Sequence, residues 1–253
     1  MTAAADPRTA ALEHHAARLR DSLGLFGGDR WASVGAGVAL SIAPGTPRAI
    51  ANVVVYERPA RLIGALASIA QAYREAHVGE WAVWVPEWDG VARAGLAARR
   101  YVRRELVRAM VLDLSEREPR ERGGGWRRGS ADELAALNDV TYALASGGLL
   151  GTVTVPDRGR IYVAVEEGSA VSALCAIDSA DGLECGINMV ATPPRSRRRG
   201  HARRLLDVAL DEASQRGCRS ARLQASPVGV PLYERAGFRS EFNYELYHPK
   251  EMQ

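Results

Sequence analysis

One short segment, Arg197-Arg198-Arg199-Gly200-His201-Ala202, constrains this chain more than any other, because it joins an apolar, strand-like run ending near Ala191 to a helical run over 203–216. A loop whose backbone amides converge at a helix N-terminus is built to hold an anion, since the first N–H groups have no partner inside the helix and the helix dipole favours negative charge there. Gly200 lets the backbone approach a ligand with no Cβ in the way, and Ala202 keeps the first helical turn small. The expected guest is a pyrophosphate.

About twenty residues further on, Leu223-Gln224-Ala225-Ser226 is followed by Val230-Pro231-Leu232-Tyr233-Glu234-Arg235-Ala236-Gly237-Phe238. The first segment has the order R-x-x-G-x-A behind Val190-Ala191-Thr192-Pro193-Pro194, and the second reads as a strand, a short helix and an L-Y-x-x-x-G-F signature. Together, in this order and at this separation, they resemble the acyl-CoA-binding core of the GNAT N-acetyltransferase superfamily.

The resemblance implies a mixed α/β fold and an acyl-CoA-dependent transfer of an acetyl or other acyl group to a primary amine, with acetyl-CoA as co-substrate and no metal. It places the pyrophosphate on the loop amides of Arg198, Arg199, Gly200, His201 and Ala202. Arg197 and Arg199 supply charge, and Arg203 belongs to the same basic cluster. It assigns pantetheine to the main chain of Met189, Val190 and Thr192, where a bulge splays the strand from its neighbour. Tyr233 falls where the family puts a phenol beside the thioester sulfur, as the acid for the departing thiolate. Ser226 stands where many relatives carry an Asn that touches pantetheine; a hydroxyl can partly replace it.

The base is less defined. Glu184 and Asn188 share a face of the strand leading to the loop, provided that no bulge intervenes, and only Glu184 titrates. Glu184 is therefore the candidate base, acting through a water, with Glu241 and Glu245 as weaker alternatives. A non-catalytic protein that keeps the fold to bind CoA or a partner is the rival reading.

At 253 residues the chain exceeds one such domain. From Ser130 onward a complete α/β unit is expected: a helix opened by the capping box Ser130…Glu133 and ending near Gly147-Gly148, a hairpin over 160–166 and 170–177, a strand over 183–191, the helix after the loop, a strand over 220–225 and a closing strand over 238–247. The charged, Gly-rich stretch 119–129 reads as a linker. Residues 1–118 give a weaker echo of the same plan: strands over 51–56, 80–86 and 104–114 alternate with helices over 59–76 and 89–100, with no pyrophosphate loop. The expected architecture is a catalytic domain at 130–253 behind a smaller, degenerate GNAT-like N-terminal domain, with a family-specific helical extension as the rival reading of residues 1–118.

Composition adds exclusions. No apolar run is long enough to span a bilayer and Met1 to Arg8 has no signal-peptide core, so a cytoplasmic protein with no membrane partner is expected. Cys175, Cys185 and Cys218 lack metal-ligand spacing. The net charge of +3 is small, and the arginine cluster at 195–204 contains no Phe, Tyr or Trp to stack a base, so no nucleic-acid partner is expected. The acceptor and the choice between monomer and homodimer are open at this level.

Overall fold

A computed structural model describes residues 7–23, 31–43, 49, 51–115, 117–118, 124–142 and 153–250. They fall into two compact units, Met1–Val107 with Asn243–Gln253, and Arg108–Phe242. Each has its own hydrophobic core.

The first unit contains helix α1 (Pro7–Leu23), strands β1 (Trp31–Ser33), β2 (Val38–Ser41) and β3 (Val53–Tyr56), helix α2 (Pro59–Glu75), strand β4 (Ala82–Pro86), helix α3 (Gly90–Ala97) and the first half of strand β5 (Tyr101–Asp113). The last strand of the chain, β11 (Arg239–Pro249), pairs with β4 through Tyr244↔Pro86 to Tyr247↔Val83. α2 begins at Pro59, whose fixed φ and missing N–H suit the first helical turn. Its buried stripe of Leu62, Leu66, Ile69 and Tyr73 repeats at helical spacing and packs with Leu12, Leu40, Val54, Val83 and Leu96.

The second unit holds strand β6 (Trp126–Arg128), helix α4 (Ala131–Tyr142), strands β7 (Gly159–Glu166), β8 (Ser169–Asp178) and β9 (Glu184–Ala191), helix α5 (His201–Gln215), strand β10 (Ser220–Ala225) and helix α6 (Val230–Ala236). Its strand order is β5-β10-β9-β8-β7-β6. The turn between β7 and β8 uses Glu167 (φ 50°) and Gly168 (φ 77°), the two left-handed residues that a tight two-residue hairpin needs. α5 buries Leu205, Leu206, Val208, Ala209, Leu210 and Ala213 against Tyr162, Leu174, Ile187 and Leu223. Gly217 (φ 98°) ends it: Cys218 N–H bonds Ala213 C=O at 3.0 Å and Gly217 N–H bonds Ser214 C=O at 2.9 Å. The capping box is formed, with Ser130 Oγ accepting from Glu133 N–H and Glu133 Oε2 accepting from Ser130 N–H.

The two units repeat one order of elements. β1-β2-β3, α2, a parallel β4, α3 and β5 correspond to β7-β8-β9, α5, a parallel β10, α6 and β11. The repeat lacks a loop in the first unit, where only Glu57 and Arg58 separate β3 from α2. Tyr56 at the end of β3 donates to the buried Asp89 carboxylate at 2.7 Å.

The unit boundaries differ from the sequence division at 118 and 130. The chain changes unit inside β5, between Val107 and Arg108, and again inside β11, between Phe242 and Asn243. Strand alternation records which face is buried and not which neighbour is paired, so the exchange is invisible in the sequence. Within the expected linker, Trp126–Arg128 is a strand paired with β7. The expected helix end near Gly147-Gly148 lies outside the described residues. Among the described residues no helix is long and apolar enough to cross a membrane.

Candidate acyl-CoA site

β9 and β10 run parallel but pair only from Ser220↔Glu184 to Arg222↔Gly186. Beyond Gly186, β9 presents a strand edge along 187–191. On its other side the register against β8 slips between Cys175↔Asn188 and Ala173↔Ala191, which inserts one extra residue into β9. Met189 adopts φ 51° within this bulge, a conformation that non-glycine residues rarely take.

After a single 3-10 turn at Pro194–Ser196 the chain enters α5 through Arg198 (φ 62°) and Gly200 (φ 84°). Gly200 caps the helix, and the first intrahelical bond runs from Arg204 N–H to Gly200 C=O at 2.9 Å. The amides of His201, Ala202 and Arg203 therefore precede the helical ladder and point out of its end. A Cβ built on Gly200 meets nothing within 4 Å, so the glycine serves its φ and faces open space. His201 is buried, with both ring nitrogens unbonded and Nε2 3.8 Å from Glu166 Oε2.

The arginines divide. Arg198 is exposed. Arg197 turns its Nε back to Thr192 C=O at 3.0 Å and braces the loop. Arg199 pairs with Glu166 at 2.8 Å, both partly exposed. Arg203 is bound to Asp207 at 2.8 Å and to Arg235 C=O at 2.7 Å, so its side chain ties α5 to α6 while its amide remains at the helix end.

Tyr233 sits in α6 with 8% of its surface exposed. Gly237 (φ 100°) turns the chain so that Phe238 N–H bonds Tyr233 C=O at 3.0 Å, which sets the Phe238 ring edge-on to Tyr233 with centroids 6.0 Å apart. Burial, with a smaller contribution from Tyr142, pushes the phenol well above its ordinary value of 10.0. It holds its proton throughout the physiological range. Ser226 is exposed at the end of β10, and its carbonyl accepts from Gly229 N–H at 2.9 Å, opening the turn into α6.

Glu184 begins β9, seven residues before Ala191, which at about 3.3 Å per residue is roughly 20 Å from the loop. Its Oε1 accepts from Arg222 Nε at 3.0 Å and from Ser220 Oγ at 3.3 Å. Arg222 also pairs with Glu241. Glu184 precedes the bulge and does share a face with Asn188, and its carboxylate is the counter-ion of Arg222 at the far end of the strand from the loop. Glu245 lies in the first unit, buried between Arg103, Arg93 and the Tyr247 hydroxyl.

Sequence reasoning missed a set of groups around the bulge. Asn138 of α4 donates to Met189 C=O at 3.1 Å, Tyr142 to Val190 C=O at 3.4 Å, and Ser172 of β8 to Ala191 C=O at 2.8 Å. For Asn138 and Ser172 the only signal in the sequence is a polar residue standing where the apolar pattern of a helix or strand calls for a hydrophobic one.

Comparison with known families shows what this arrangement is similar to. Residues 157–240 match the family profile described as Acetyltransferase (GNAT) domain, and this stretch contains the bulged β9, the loop, α5, β10 and α6. This part of the chain resembles a GNAT acetyltransferase domain. Among solved structures, a GCN5-related N-acetyltransferase from Kribbella flavida is similar over 98% of both chains, with a TM-score of 0.68 at 15% identity. A GCN5-related N-acetyltransferase from Sphaerobacter thermophilus is similar over 93% of this chain and 92% of its own, with a TM-score of 0.55 at 18% identity. A tandem GNAT protein from the clavulanic acid biosynthesis pathway is similar over 85% of this chain and 79% of its own, with a TM-score of 0.56 at 13% identity. At these identities the likeness is one of fold. No curated protein matches the sequence.

Proposed function

We propose that the second unit transfers an acetyl group from acetyl-CoA to a primary amine, and that the first unit is a GNAT-like repeat without a CoA site of its own. The observation that carries this reading is the conjunction of a bulged β9 edge released from β10 with a helix N-terminus entered through a left-handed glycine. The first offers main-chain groups to the amides of pantetheine; the second offers the amides of His201, Ala202 and Arg203 to a pyrophosphate. The exposed Arg195 and Arg198 add charge.

Acetyl-CoA supplies the activated acyl group. Amine attack on the thioester carbonyl forms the C–N bond and breaks the C–S bond; the sulfur leaves with the bonding pair and takes a proton, and the nitrogen loses one. Tyr233, buried and protonated, is the donor at the sulfur. Deprotonation of the amine is left to solvent, since the carboxylate of Glu184 is taken by Arg222.

The test is thiol release from acetyl-CoA in the presence of a panel of small amines, peptides with free N-termini and lysine-bearing peptides, with the product checked by mass. The expected result is amine-dependent release matched by one acetyl group on the acceptor. Tight binding of acetyl-CoA with no transfer to any amine would instead support a non-catalytic CoA-binding protein.

A further inference from the structure

Four consecutive carbonyls at the bulge are each taken by a side chain. Asn138 Nδ2 reaches Met189 O at 3.1 Å, the Tyr142 hydroxyl reaches Val190 O at 3.4 Å, Ser172 Oγ reaches Ala191 O at 2.8 Å, and Arg197 Nε reaches Thr192 O at 3.0 Å. Ser172 is also within 2.8 Å of Thr192 Oγ1. The donors come from α4, β8 and the loop itself.

Asn138 differs from the others in what it holds. It is 2% exposed, and its amide group spends one donor on Leu134 C=O at 2.8 Å, inside its own helix, and the other on Met189 C=O. Met189 is the residue in the unfavourable φ of 51°. Such a conformation is costly for a residue with a side chain and persists only where the surroundings over-determine it. A trans peptide is planar, with its C=O and N–H pointing opposite ways, so pinning Met189 O toward α4 fixes the direction of Val190 N–H away from it.

We infer that Asn138 is a positioning residue for the pantetheine arm of the acyl donor, acting through the Met189–Val190 peptide; the inference rests on the acyl-CoA reading above. Helix α4 is then more than a cover for the sheet, because it sets the hydrogen-bonding edge along which the thioester is threaded. Ser172 extends the same device one peptide further on, from β8.

The experiment compares two ligands on the full chain by calorimetry: acetyl-CoA, and adenosine 3′-phosphate 5′-diphosphate, which keeps the pyrophosphate and lacks pantetheine. Asn138→Leu retains the volume and removes both donors. It should weaken acetyl-CoA about tenfold, the effect of about one net hydrogen bond, and leave the pantetheine-free ligand within about twofold of wild type. Asn138→Gln, which keeps the amide, should recover part of the loss. Ser172→Ala, a smaller change in a different element, should show the same one-sided loss to a lesser degree and serves if the leucine variant does not fold. Unchanged acetyl-CoA affinity, or equal weakening of both ligands, overturns the inference. A wild-type chain that binds the pantetheine-free ligand but gains nothing from pantetheine also overturns it while leaving the loop assignment standing. A wild-type chain that binds neither ligand overturns the acyl-CoA reading and the inference with it.

Discussion

Tyr233→Phe is expected to lower kcat about 100-fold while acetyl-CoA affinity stays within about twofold of wild type, because a positioned acid typically contributes that much to a proton-coupled step. The ring is retained, and with it the edge-on contact to Phe238 and the packing of α6 on the core. What is lost is one proton donor in a site where burial keeps the phenol protonated. The variant therefore separates chemistry from binding. The residual rate comes from water acting as the acid and from the orientation of the two reactants. The measurement needs an amine that the wild type acetylates, with kcat and Kd determined separately. Wild-type kcat in the phenylalanine variant would remove Tyr233 from the mechanism. Because its phenol titrates well above 10, any fall in kcat on the alkaline side below that value must come from another group.

Gly200→Asp should abolish acetyl-CoA binding without unfolding the chain. A side chain at Gly200 meets nothing within 4 Å, so the change introduces no clash, and its φ of 84° is one that Asp tolerates better than most residues. The new carboxylate stands at the N-terminus of α5, where it favours the helix and competes for the amides of His201, Ala202 and Arg203. At ligand one hundred times its Kd the wild type should gain about 2.7 kcal/mol of stability, and the variant none. Thermal melts with and without acetyl-CoA give both numbers. Gly200→Ala adds a Cβ at the same left-handed φ without the charge and should retain part of the shift. A full ligand-induced shift in the aspartate variant would mean that the anion binds elsewhere.

The parts of the site legible in the sequence are those made by local backbone chemistry. The loop was legible because Gly200 supplies a left-handed cap and the residues behind it bury one helical face. The Gly237-Phe238 pair was legible because a left-handed turn after a short helix places the next residue back on that helix. Partnerships across the fold were not. Glu184 has the right alternation for a residue facing the acceptor, and only the pairing of β9 with β10 reveals that Arg222 takes its carboxylate. Asn138 and Ser172 look like tolerated polar residues in buried elements until Met189 O and Ala191 O are found opposite them. The exchange inside β5 and β11 is likewise a matter of pairing, which a period of two along a strand does not encode.

The claim that the second unit alone carries the acyl-CoA site is tested most directly by calorimetric titration of the whole chain with acetyl-CoA. One site per chain is predicted, lost in Gly200→Asp and retained in Tyr233→Phe. No binding, two equivalent sites, or a single site indifferent to Gly200→Asp would contradict it.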